Sequence, residues 1–138
     1  MSSTRVLLTA KIEHMRKRIV EVVIGELIGR GNVDAVEPWL RDDFVDHGPG
    51  IVAASKSEWL AKARALPLTG FKIEIHSLHE AGEDVTMLSR RWVPALEGWI
   101  AVVDIFRFKD GAIAEHAEVF QPTAAPDGVS RLGKLVPW

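Results

Sequence analysis

The sequence predicts an α+β fold in which three N-terminal helices pack in a curved, mainly antiparallel sheet. Three observations predict it. The first half of the chain repeats apolar residues at three- and four-residue steps, the second half switches to alternation, and no linker-like segment separates them. With 138 residues, 47% apolar and 26% charged, the chain suits one core, and residues 1–138 read as a single domain.

Over 5–28, Leu8, Ile12, Met15, Ile19, Val22, Val23 and Leu27 form one stripe of a long amphipathic helix. Gly29 and Gly31 stop it. A second helical piece starts at Asn32 and runs through Val36, Trp39 and Leu40 towards Phe44, broken by Pro38. The stretch 44–50 reads as a loop ending on Gly48-Pro49-Gly50. A third helix opens on Ser55-Lys56-Ser57-Glu58, the spacing of a capping box, and ends at Leu66-Pro67. Beyond Gly70, Phe71, Ile73 and Ile75 alternate with Lys72, Glu74 and His76 as in a half-exposed strand. Turns at Gly82-Glu83-Asp84, at 94–98 and at Lys109-Asp110-Gly111 divide the rest into strands over 85–93, 99–108 and 112–121. The last two are apolar on both faces, which calls for cover on both sides. Residues 122–138 read as a loosely packed C-terminal extension. A curved sheet around a long helix makes an open cone, whose inside is a natural small-molecule pocket.

Seventeen Lys and Arg against nineteen Asp and Glu give a net charge of −2, so no concentrated positive charge invites nucleic acid or an anionic membrane. The absence of cysteine excludes disulfides, zinc–thiolate sites, iron–sulfur ligation and a thiol nucleophile. No apolar run approaches the ~20 residues of a membrane span, and no signal-peptide stretch opens the chain, so a cytoplasmic location is expected. The lack of tyrosine removes any phenolic acid or oxyanion donor. Neither a Gly-x-Ser-x-Gly elbow nor a phosphate-binding glycine loop is present. His47, Asp104, His116 and Glu118 have no spacing specific to a metal, and neither metal nor cofactor is expected.

The informative stretch is Val102-Val103-Asp104-Ile105-Phe106-Arg107-Phe108. Asp104 lies mid-strand, and on a face with Phe106 and Phe108 it points into apolar surroundings, where a carboxylate needs partners or a raised pKa. A three-residue loop closing on Gly111 opposes Asp104 to His116, Phe106 to Ala114 and Val102 to Glu118, lining one face with Asp104, His116 and Glu118. A two-residue Asp110-Gly111 loop opposes Asp104 to Ala117 and separates the three. The three-residue loop is the expectation. An aspartate–histidine–glutamate cluster in an apolar cone can transfer protons. His47, in a loop before Gly-Pro-Gly, is a further catalytic candidate. Ser89 and Arg91 share a strand face and can bring a hydroxyl and a cation to the pocket, Arg91 to a substrate carboxylate or carbonyl. His76 and His79 fit the surface.

Phe44-Val45-Asp46-His47-Gly48-Pro49, Glu80-Ala81-Gly82-Glu83-Asp84-Val85 and the run from Asp104-Ile105-Phe106-Arg107-Phe108 through Glu115-His116-Ala117-Glu118-Val119 to Gln121-Pro122 resemble the SnoaL-like polyketide cyclase family over residues 15–122. The resemblance implies the nuclear-transport-factor-two-like cone, a homodimer through the outer sheet face, and cofactor-free aldol cyclisation with an aspartate acid/base at Asp104. Ketosteroid isomerases of the same cone carry a comparable aspartate, kept protonated by an apolar site. Their base aligns with His47 and their oxyanion tyrosine near Val23, so the missing tyrosine argues against steroid isomerisation. The sequence departs from close relatives at Ala117-Glu118, where many carry Trp-Asp, and at Ser89-Arg90-Arg91, where many carry His-x-His.

The expectation is a cofactor-independent acid/base enzyme of the cyclase or isomerase type, acting on a small, largely apolar carbonyl compound. Asp104, His116 and His47 are its catalytic residues, and Glu118, Arg91, Ser89 and Phe106 bind substrate. The alternatives are a binding or sensing domain, and an interaction module with Trp92 and Trp99 packed into a collapsed cone.

Overall fold

A computed structural model describes residues 3–48 and 53–122, with side chains from Met15 to Gln121. Pro49-Gly50 and, of the C-terminal extension, residues 123–138 lie outside the described residues. The elements are α1 (Ser3–Leu27), α2 (Val33–Val36), β1 (Leu40–Asp46), β2 (Ala54–Ser55), α3 (Lys56–Ala65), β3 (Lys72–Ala81), β4 (Asp84–Val93), β5 (Gly98–Lys109) and β6 (Ala112–Pro122). The strands form one six-stranded sheet in the order β2-β1-β6-β5-β4-β3, antiparallel except for the parallel β1–β6 pair. The α+β class and the β3–β6 meander agree with the sequence reading. Among the described residues no helix is long and apolar enough to cross a membrane.

Helix α1 lies in the curve of the sheet. Its buried stripe is Ile19, Val20, Val23, Ile24 and Leu27, packed with Val85, Met87, Phe106, Phe108 and Ile113 in one core. Met15 and Val22, expected on that stripe, are exposed. The apolar band is therefore rotated towards Val20 and Ile24. Gly29 at φ +89° and Gly31 at φ +65° end the helix, and the Gly31 amide donates to the Leu27 carbonyl at 3.0 Å. Helix α3 carries the expected capping box: the Ser55 hydroxyl accepts from the Glu58 amide while the Glu58 carboxylate accepts from the Ser55 amide.

Two expectations change. The chain around Pro38 forms α2 and a 3-10 turn, Glu37–Trp39, and then becomes a strand rather than a helix running to Phe44. Leu40 and Phe44 are buried while Asp42 and Asp43 are exposed, because pairing with β6 decides the conformation of this segment. The β5–β6 connection is the two-residue Asp110-Gly111 turn, both residues at positive φ (52° and 80°), which suits the twist of the strands. A bulge then intervenes. Phe108 pairs with Ile113, but Arg107 pairs with Glu115, leaving Ala114 as the extra residue. Asp104 therefore opposes Glu118, and Phe106 opposes His116, two positions from the expected register. The expected face survives because that offset is even.

The outer faces of β5 and β6 are not covered as their sequence suggested: Ile105 and Val119 are exposed.

Candidate functional site

Alternation along β4 points Val85, Met87, Ser89 and Arg91 inward, and alternation along β5 does the same for Val102, Asp104, Phe106 and Phe108. On β6 the bulge at Ala114 switches the inward parity, so Ile113 faces the core first and His116 and Glu118 follow. Arg91 from β4, Asp104 from β5, and His116 and Glu118 from β6 thus meet on the concave side. Parallel pairing of Asp46 with His116 brings in a fifth group from β1.

The five form a continuous chain of charge. The Arg91 Nη2 donates to Asp104 Oδ2 at 2.5 Å, and His116 Nε2 donates to Asp104 Oδ1 at 2.7 Å. His116 Nδ1 lies 3.0 Å from Asp46 Oδ1, and Arg91 Nη1 lies 3.5 Å from Glu118 Oε2. Asp104 is 1% exposed, with each oxygen held by a cation. Burial pulls the His116 pKa down, but the hydrogen bonds and charges of Asp104 and Asp46 outweigh it and lift the value to about 9. The ring is therefore an imidazolium at neutral pH, with both N–H groups committed. Glu118 is the contrasting member. Burial raises its pKa above the ordinary carboxylate range, the charge of Asp104 opposite raises it further, and Arg91 and His116 pull it back. A protonated Glu118 can donate to Asp104.

A cavity of about 60 Å³ lies against this cluster. Its other walls are apolar: Val23, Ile24 and Leu27 of α1, Phe44 of β1, Trp59 of α3 and Phe106. Phe106 stacks tilted on the His116 ring, with centroids 4.8 Å apart, and Trp59 meets Phe44 edge-on at 6.0 Å.

Of the residues singled out in the sequence, the structure brings Asp104, His116, Glu118, Arg91 and Phe106 to this cavity. Ser89 shares their sheet face and is fully buried, but it does not line the cavity. Its Oγ and Arg91 Nε have no hydrogen-bond partner among the described residues. His47 does not join the cluster. As the residue after Asp46 on an extended backbone it points the other way, half-exposed, with Nε2 2.9 Å from Glu115 Oε1. Asp46 takes the place expected of His47. Sequence reasoning missed it because 44–50 read as a loop; read as a strand, Phe44 and Asp46 alternate against Val45 and His47.

Trp92 and Trp99, whose packing into the cone would have marked a collapsed module, pair with each other on the outer face at 5.9 Å. Arg90 points outward too, 4.5 Å over the Trp99 ring. Asp104, His116 and Glu118 each bring one potential ligating atom within 4.8 Å of the others. The Arg91 guanidinium already holds the carboxylates of this group, so a metal ion would have to displace it.

Residues 23–116 match the model of the SnoaL-like domain family. Similar solved structures include an LEH-like epoxide hydrolase from M. tuberculosis, with 22% identity, 88% of this chain and 96% of that one covered, and a TM-score of 0.66. A putative ketosteroid isomerase from Kribbella flavida has 12% identity, covers 80% of each chain and has a TM-score of 0.68. An NTF2-like protein of unknown function from Cytophaga hutchinsonii has 21% identity, with 75% and 88% covered and a TM-score of 0.64. These likenesses show an NTF2-like fold. No curated protein matches the chain.

Proposed function

The chain belongs to the SnoaL-like domain family, and from that premise we propose that it is a cofactor-independent acid/base enzyme of the cyclase or isomerase type, acting on a small, largely apolar carbonyl compound. One observation carries this reading: Glu118, a carboxyl of raised pKa, stands at the wall of an otherwise apolar cavity beside a fixed pair of cations. Asp104 is the wrong group to carry the proton, because Arg91 and His116 hold both its oxygens. Its part is to position them. Glu118 exchanges the proton with the substrate, and Arg91, whose Nε has no acceptor among the described residues, supplies a preorganised donor for the carbonyl oxygen. Asp46 positions the imidazolium from behind.

Exchange of α-protons for deuterium in a simple ketone, followed by NMR, tests the reading without knowledge of the natural substrate. The full chain should accelerate exchange over buffer, with an acid limb above the usual carboxylate range. Glu118→Gln should lower the enzymatic rate by about 10²–10⁴, while His47→Ala leaves it unchanged. No acceleration by the wild type, or full activity in Glu118→Gln, would refute it.

The volume of about 60 Å³ favours a second reading, a binding or interaction domain of the same fold that performs no turnover. Saturable ligand binding without exchange would select it. Under either reading we propose a homodimer through the outer sheet face, where Ile105 and Val119 stand uncovered beside Val103 and Ala117.

A further inference from the structure

We propose that the cavity takes a small uncharged ligand bearing a hydrogen-bond-accepting oxygen, such as a ketone, aldehyde or cyclic ether, and refuses a carboxylate of the same size. The inference rests on the cavity being the binding site, and goes further by assigning the ligand's charge and size.

The argument is one of charge already spent. Two cations touch the cavity, and neither is free. Arg91 is held by Asp104 at 2.5 Å and approaches Glu118 at 3.5 Å; His116 is held by Asp104 at 2.7 Å and by Asp46 at 3.0 Å. With Glu118 protonated, the carboxylates of Asp46 and Asp104 balance the cations; with Glu118 ionised, the cluster carries one net negative charge. In neither state does it hold an unpaired positive charge for an anion. A buried carboxylate ligand would have to take Arg91 from Asp104, leaving that aspartate, 1% exposed, to share the His116 imidazolium with Asp46 as its only counter-charge.

What remains unpaired is uncharged, or part of an already neutralised group. Arg91 lines the cavity and its Nε lacks an acceptor among the described residues, and protonated Glu118 can donate as well. A surplus of donors without a surplus of charge fits a neutral acceptor oxygen. The opposite walls, from Val23, Ile24, Leu27, Phe44 and Trp59, accept only hydrocarbon. At about 60 Å³ the cavity is well below the roughly 150 Å³ that admits a benzene, so it selects a small molecule.

Butan-2-one, propionate and sec-butylammonium match one another in size and differ in charge. Each is titrated into the 15N-labelled full chain at neutral pH while the amide signals of Phe106 and Glu118 are followed. Butan-2-one should bind with a Kd at least ten-fold below those of the two ions. Equal or tighter binding of propionate, tightest binding of sec-butylammonium, or no response to any of the three overturns the proposal. Glu118→Gln should keep the preference for the ketone; if it gains propionate binding, Glu118 alone excluded the anion and the balance argument fails. The readout is binding rather than exchange, so the two proposals fail separately. A ketone that binds without exchanging protons sinks the catalytic reading only, and a bound carboxylate alongside ketone exchange sinks this one only.

Discussion

The two faces of the β5–β6 hairpin carry opposite chemistries, each on the side where the other is usual. Asp104, His116 and Glu118 point into the cone with Arg91, whereas Ile105 and Val119 point out of it, Val119 being 67% exposed. Ionic contacts occur on both faces. Outside, Arg107 pairs with Asp84 at 2.9 Å and with Glu115 at 3.4 Å in contact with solvent. The difference teaches how much environment weighs. An exposed pair exchanges one hydrated state for another, while a buried pair has surrendered its water and depends on its partner. Hydrocarbon left outside, conversely, gains only when a second surface covers it.

The comparison breaks first at Asp104. Replacing it with alanine leaves Arg91 and His116 buried without their shared counter-charge and should cost about 3–5 kcal/mol in urea unfolding. Arg107→Ala on the outer face should cost less than about 1 kcal/mol. Equal losses would mean that the inner cluster is not the compensated network its distances describe.

Titration sharpens the same contrast. His116 has a folded-state pKa of about 9, raised from 6.5. Its stabilisation is therefore fully present below pH 6.5 and is lost as pH rises through about 9, on the order of 3 kcal/mol in all. Glu118, also raised, acts in the same direction from the ordinary carboxylate range upward. Unfolding free energy should accordingly fall between pH 6.5 and 9. Asp46→Asn should lower the His116 pKa seen by NMR by about 1–2 and move the decline to lower pH. Asp46→Glu should partly restore it, which a merely structural role for Asp46 would not require. An unchanged histidine titration would remove Asp46 from the network.

The smallest effect on folding belongs to the outer face. Val119→Asp and Ile105→Asp should shift the protein from dimer to monomer in analytical ultracentrifugation, while each changes the stability of the folded monomer by about 0.5 kcal/mol or less. A monomeric wild type would leave that hydrocarbon face without the proposed partner.

Much of this architecture was legible because its signals are local. The capping box at Ser55 and Glu58 and the turn residues at Gly82 and Gly111 each act within a few positions of themselves, whereas the alternation read from Phe71 holds only to Glu74, because a register shift between Ile75 and Ser77 leaves Ile75 exposed and His76 half-buried. Strand β1 was not legible: its residues fit a helix or a loop until β6 offers a parallel edge. The bulge was equally hidden, since Ala114 has no property that announces an extra residue. Asp104 stood out as a carboxylate within an apolar strand, but the proton carrier we propose is Glu118, and only the enclosure around it distinguishes it from a solvated strand-end acid.

Periodicity and punctuation along the chain determined which segments are helical, which are extended, and that a charge must enter the core at Asp104. Tertiary structure alone decided which charges meet there. A single inserted residue resets the facing of everything beyond it, and the Asp46–His116 contact joins groups 70 positions apart. Contacts of that kind depend on how strands are paired across the sheet, a property that no short stretch of sequence contains.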